Sequence, residues 1–389
     1  MGAQTLLGSH IPVNDRYVEE PRALIHGNAV RLLRNGVEAF PAWLAAIEAA
    51  RHRISMEMYI FEDDRIGAQF ADALARAAER GVVVRLLYDF VGCRNTSPGF
   101  FTRLRERGVH TIVYHAYRFW RPRFWALFRR NHRKTLVCDG KVAFTGGLNI
   151  ADHWVGQAEG GGDWRDAAVE IEGPAVALVE APFVRTWNRR ARKRFRLRPQ
   201  DLVPPPPAGD SSVAVISNSE LLDRFAIRRA ALHAIRESRR RIYLANPYFI
   251  PDRGILRALQ QAARRGVDVR ILVPERSDVR FLDYAARATF APLLAAGVRI
   301  WQHAGVMHAK ALMVDGELLS IGSYNLDHRS LVYNLELVVN ALDRTAAGRF
   351  AQMMDDESQT GEIRQHDFER RTLFMRFLER LAYRLRYWL

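Results

Sequence analysis

Apolar positions along the 389-residue chain switch between a period near two and a period near 3.6, and the switching runs through the same order twice. In the first half, residues 29–33 read as a short strand, Asn35-Gly36 as a turn, and Trp43, Leu44 and Ile47 give helical spacing over 40–50. Ile54, Met56, Met58 and Ile60 alternate as a strand over 53–61. A helix over 66–80 is stopped by Gly81, and a near-continuous apolar strand over 82–88 follows. A helix over 101–107, stopped by Gly108, and a strand over 109–114 complete the set. The second half predicts a strand at 213–216, a helix at 223–238 and a strand at 241–250 that ends in Pro247-Tyr248-Phe249-Ile250-Pro251. A helix over 256–265 stopped by Gly266, a strand over 267–273, a helix over 284–296 stopped by Gly297 and a strand over 298–302 follow. Strands alternating with helices predict an α/β fold, and the matched order predicts a duplication into two similar domains, each a mixed β-sheet flanked by helices. An Arg-dense run at 185–198 ends the first half, and Pro204 to Pro207 form a stiff spacer. The expected domains are 28–200 and 212–361, with a linker at 201–211 and an amphipathic C-terminal helix within 362–389.

Charge changes this picture of an ordinary globular chain. The net charge is +15, with 58 Lys plus Arg against 43 Asp plus Glu, which implies an anionic partner: nucleic acid, an anionic membrane, or a phosphate-bearing substrate. A GC-rich coding sequence that writes Arg freely contributes to the same balance. Cys93 and Cys138 form neither a disulfide framework nor zinc spacing. The sequence begins with no signal-peptide pattern and contains no run of about 18 apolar residues, so any membrane contact is expected to be peripheral.

Candidate chemistry sits in a stretch that occurs twice. His132-Arg133-Lys134 with Asp139-Gly140 and Asn149 is matched by His308-Ala309-Lys310 with Asp315-Gly316 and Asn325. In both, Lys follows His by two, Asp follows Lys by five, and Asn follows His by seventeen. Lys occurs at only four positions in the chain, Lys134, Lys141, Lys193 and Lys310, yet both copies keep one. A compact ammonium set against a phosphate would resist replacement by the planar fork of Arg. Each Asp-Gly reads as a hairpin turn, which makes Asp139 and Asp315 structural first and catalytic second. With two-residue loops, His132 would face Gly147 and His308 would face Ser323, small residues that leave room for a phosphoryl group. Two His, two Lys, Asn149, Asn325 and Ser323 can attack, protonate and neutralise a phosphoryl centre. There is no carboxylate cluster of the kind magnesium requires, so neither metal nor cofactor is expected. Each His needs a partner to fix its tautomer; Asp166, after the first copy, and Glu336, after the second, are the candidates, with Asp163 a rival to Asp166.

Both copies resemble the HxKx4D motif of the phospholipase D superfamily. The flanks at 27–36, 57–61, 80–85 and 246–251 are similar to bacterial cardiolipin synthases, most of all the short type B form without transmembrane helices, over roughly residues 27–340. The resemblance implies a phosphatidyl-histidine intermediate, phosphatidylglycerol as donor and acceptor, and glycerol as leaving group. It gives the nucleophile's role to His132 and acid–base work to His308. It also implies an anionic phospholipid partner at the bacterial inner membrane, on the cytoplasmic side, and no nucleic acid. A lipid hydrolase of the same superfamily, and a nuclease using the same residues, are the alternatives.

Two stretches look suited to a lipid interface: the insertion at 117–130, where Trp, Phe and Arg interleave, and the basic amphipathic helix at 373–389. The first could also line a core loop or stack on bases; the second could pack on the protein itself.

Overall fold

The computed structural model describes residues 15–115, 129–156, 161–162, 164–218, 224–277, 280–359, 361–369 and 371–388. Asp163 and most of the aromatic insertion therefore lie outside the described residues. The strands are β1 (Ile25–Arg34), β2 (Arg53–Met58), β3 (Val83–Asp89), β4 (His110–Tyr114), β5 (Thr135–Cys138), β6 (Val142–Gly146), β7 (Trp164–Arg165) and β8 (Ala167–Glu172). The second half supplies β9 (Ser211–Ser217), β10 (Arg241–Ala245), β11 (Asp268–Pro274), β12 (Arg299–His303), β13 (Val306–Met307), β14 (Ala311–Val314), β15 (Leu318–Gly322) and β16 (Leu337–Leu342).

Fourteen of these form one mixed sheet in the order β12-β11-β10-β14-β15-β16-β9-β1-β8-β6-β5-β2-β3-β4. Read outward from the central β9–β1 pair, the two halves have the same order, which is the duplication seen in sequence. The halves meet where β1 pairs antiparallel with β9, Ile25 against Val213 and Asn28 against Ser211.

Helices Asn35–Ala49, Arg65–Glu79 and Pro98–Glu106 cover the first half. Their apolar stripes meet Ile54, Met56, Val84 and Phe144 in one core, and the equivalent helices of the second half close another around Ile242, Ile271 and Val314. A third core is shared, with Val137, Val169 and Ile171 of the first half packed with Met313, Ile321 and Val339 of the second. Gly81 and Gly266, at φ +91° and +89°, end their helices in the left-handed region that favours glycine.

One strand is shorter than the apolar pattern suggests, and one expected turn is a helix start. The sequence predicts a strand over 241–250, but β10 ends at Ala245. Pro247 has no N–H for a ladder, and Asn246 Oδ1 accepts from Tyr248 N at 3.2 Å, turning the chain out of the sheet. Asn35 starts a helix directly, at φ +56°. Among the described residues no helix is long and apolar enough to cross a membrane.

Candidate active site

Each hairpin turn is built as the spacing suggested, with one extra residue. Asp139 and Asp315 take φ +54° and +55°, and the ladder opens at Cys138 against Val142 and at Val314 against Leu318. Three residues, not two, separate these partners, so the expected facing of His132 with Gly147 and of His308 with Ser323 is displaced by one position. The turn carboxylates point backwards. Asp139 accepts from the backbone N–H groups of Arg51, His52 and Arg53 at 2.8–2.9 Å. Asp315 does the same for Arg239, Arg240 and Arg241 at 2.7–2.8 Å, and Tyr17 Oη donates to it at 2.9 Å. Burial opposes the charge on Asp315, but the three N–H groups outweigh it and hold the carboxyl below its usual range. Neither Asp lines the pocket described next. They sit in the hairpin turns and tie them to the start of the neighbouring strand, apart from the His and Lys of the motif.

His132 and His308 both open onto a single pocket of about 560 Å³, which Asn149 and Asn325 also line. The acidic partners are exchanged between the copies. His132 Nδ1 lies 3.0 Å from Glu336 Oε1, and His308 Nδ1 lies 2.6 Å from Asp166 Oδ2. The backbone repeats the exchange: His132 N donates to Leu335 O at 3.0 Å, and His308 N donates to Arg165 O at 2.6 Å. In each half, then, the His segment is bonded to the residue just before the other half's acid. The β7–β13 pair, Val306 with Trp164 and Met307 with Arg165, carries one of these crossings.

A carboxylate can only accept, so each Nδ1 must carry the proton, leaving the Nε2 lone pair free. Burial pulls His132 down to about 4 against the opposing pull of Glu336. His308 is lowered too, by burial and then by Lys310. Burial also opposes the charge on Asp166 and Glu336, but the facing His, the nearby lysine and the remaining hydrogen bonds together outweigh it, and both carboxyls lie below their ordinary range.

Gly147 and Ser323 serve these acids rather than leaving room for a phosphoryl group. A Cβ on Gly147 would lie 2.1 Å from Asp166 Oδ1. Ser323, fully buried, donates its hydroxyl to Glu336 Oε2 and accepts from Leu337 N at 3.1 Å, so it supports the acid and does not reach into the pocket. Ser330 Oγ adds a 2.8 Å bond to Glu336, and Trp154 Nε1 a 2.8 Å bond to Asp166.

The two lysines sit beneath the histidines. Lys134 Nζ donates to His132 O at 2.8 Å and Lys310 Nζ donates to His308 O. Lys134, fully buried, is pushed down to about 7 by burial and then by Lys310. Asn149 Oδ1 accepts from Ile60 N at 3.0 Å, which fixes its amide. Asn325 Oδ1 is buried without a partner among the described residues.

Sequence reasoning passed over other residues of the pocket. Tyr59 meets His132 edge-on at 4.8 Å between centroids, and Trp154 and Trp164 flank His308 at 5.5 and 5.4 Å. Arg130, 1% exposed, pairs with Asp89 at 3.4 Å, yet its Nε and Nη2 find no partner among the described residues. A buried guanidinium left part-satisfied beside an open pocket marks a place for an anion. Tyr59 lies inside a stretch whose resemblance was already noted; Arg130 closes the insertion read as a lipid interface, and nothing in the sequence set it apart there as a pocket residue.

The family described as "Cardiolipin synthase, PLD-like domain" matches residues 43–187 and 231–357. A relative named "Cardiolipin synthase 2" from Bacillus cereus is 37% identical over 360 residues, covering 91% of this chain and 69% of that protein. "Cardiolipin synthase A" from Pseudomonas putida is 37% identical over 345 residues, covering 87% of this chain and 71% of that protein. Among solved structures, the phosphatidylserine synthase of Haemophilus influenzae shares the fold at a TM-score of 0.65, with 15% identity and 92% of each chain covered.

Proposed function

This chain belongs to the cardiolipin synthase family with its phospholipase D-like domain, and we infer from that premise that it is a phosphatidyltransferase joining two phosphatidylglycerols. The observation that carries the reading is the pair of imidazoles on one pocket, each with Nδ1 tied to a buried carboxylate and Nε2 free. In the first step His132 Nε2 attacks the donor's phosphorus, the bond from phosphorus to the glycerol oxygen breaks, and His308 gives that oxygen its proton. The incoming phosphate anion raises His308 so that it carries this proton. In the second step His308 takes the proton from a hydroxyl of the acceptor lipid, the new P–O bond forms, and the P–N bond breaks. Atoms and charge balance: glycerol leaves and cardiolipin remains.

In this reading Lys134 and Lys310 set positive charge under the phosphoryl oxygens, and Asn149 and Asn325 donate amide hydrogens to them. Asp166 and Glu336 orient the rings, Ser323 braces Glu336, and Asp139 and Asp315 anchor the turns. In the same reading the two phospholipase D-like domains are 28–200 and 212–361, the segment 201–211 links them, and the enzyme works peripherally at an anionic inner-membrane surface on its cytoplasmic side.

Purified protein incubated with phosphatidylglycerol vesicles should yield cardiolipin and free glycerol. Phosphatidic acid alone would replace the transferase with a hydrolase. Either His132→Ala or His308→Ala should cut turnover roughly a thousandfold or more. Near-normal turnover in His308→Ala would end the two-histidine mechanism.

A further inference from the structure

The helix Leu373–Arg384 is turned the wrong way round for a soluble protein. Its contact face, packed on the helix Arg280–Leu294, carries Ala382 against Ile250 and Ala285, and the buried Glu379 paired with Arg371. Its outer face carries Leu373, Phe374, Phe377, Leu381 and the adjoining Leu385, which are 40–82% exposed. At the helical repeat these five cover roughly a third of the circumference, with Arg380 at one edge and Arg384 just inside it. An amphipathic helix on a monomer buries its apolar stripe; here an ion pair is buried and the apolar stripe faces outward.

The stripe ends at the candidate active site. Arg386, next after Leu385, lines the pocket, as does Leu282 of the supporting helix. Tyr383, on the same helix, donates to Pro251 O at 3.2 Å, next to Ile250 of the pocket wall. A pocket of about 560 Å³ has the size for headgroups, not for the acyl chains of two phospholipids. Those chains must stay in their bilayer while the headgroups react.

We propose that the Leu373–Leu385 face lies in the headgroup–acyl boundary of an anionic bilayer and brings the pocket mouth down onto it. The apolar stripe enters the boundary, Arg380 and Arg384 meet lipid phosphates, and Glu379 is kept on the protein side. This deepens, and rests on, the phosphatidyl-transfer reading.

The test uses full-length protein and the double variant Phe374→Ser/Phe377→Ser, whose altered side chains are exposed and outside the pocket. Flotation with mixed phosphatidylglycerol–phosphatidylcholine vesicles should show binding weakened roughly tenfold or more in the variant. Turnover on vesicles should fall in parallel, while turnover of a short-chain phosphatidylglycerol dissolved as monomers stays unchanged. Equal vesicle binding by both proteins would overturn the proposal. So would a wild-type dimer, seen by sedimentation, that the variant splits without losing vesicle binding, since the face would then be a self-association surface. Vesicle binding lost in the variant with no lipid turned over by either protein would support docking and remove the transfer reading alone.

Discussion

A neutral imidazole with its Nδ1 proton held by a carboxylate is ready to attack, and burial keeps it neutral where an exposed His would be partly charged. This sets the expected pH dependence. His132 is depressed to about 4, so its reactive neutral form is complete above that value and is lost below it. Lys134 is depressed to about 7, so its ammonium is present below that value and is lost as pH rises through it. We therefore expect kcat/KM on a monomeric short-chain lipid to rise as pH climbs through about 4, and to fall on the alkaline side as His308, itself lowered, and then Lys134 lose their protons, well before an ordinary lysine would titrate. An alkaline limb near the usual lysine range would show that Lys134 is not the charged group required. The same scale gives Gly147 a definite role. Gly147→Ala would set a methyl against Asp166, so His308 should lose its orienting partner and turnover should drop at least about a hundredfold, measured beside an unchanged far-ultraviolet circular dichroism spectrum.

The hairpins hold each His–Lys pair by anchoring one end of it. Asp315 gathers three consecutive backbone N–H groups ahead of β10, and an amide in its place could accept but not with the same charge. Asp315→Asn should cost about 1–3 kcal/mol in a denaturant melt, with turnover per folded molecule retained. Loss of turnover at full stability would return Asp315 to the chemistry. Much at this scale was legible beforehand, because the evidence was local: Gly81 and Gly266 end helices, and Asp-Gly makes a turn. What was not legible was long-range. The extra residue in each turn changes which side chains oppose each other, and no periodicity reports it. β8, β16 and the helix Arg344–Glu357 were missed, since short runs such as Ala167-Ala168-Val169 carry no distinctive period. Asp166 and Glu336 were candidates as the acids that follow each copy, but their exchange between copies depends on how the halves dock, which a sequence read one half at a time does not contain. The apolar face of the C-terminal helix was visible as a stripe; only packing shows that it is left outside, and that Phe368 and Ala382 are buried, so removing the whole segment would disturb the cores they fill.

At the scale of the molecule, one sheet and one pocket are assembled from two copies of a single plan. Both histidines of a pocket belong to the same chain, so mixing His132→Ala protein with His308→Ala protein should restore no turnover. Recovery on mixing would mean that the pocket is completed between molecules. The exchanged carboxylates carry a further consequence. Neither half contains a working His with its own acid, so a half on its own would need a second half to become competent, and would be diluted out of activity. Joining the halves through the β1–β9 pair replaces that encounter with a fixed, intramolecular local concentration. The chain behaves as a dimer that cannot dissociate. It is also free, as a symmetric dimer is not, to let its two acids differ: an aspartate backed by an indole on one side, a glutamate backed by hydroxyls on the other.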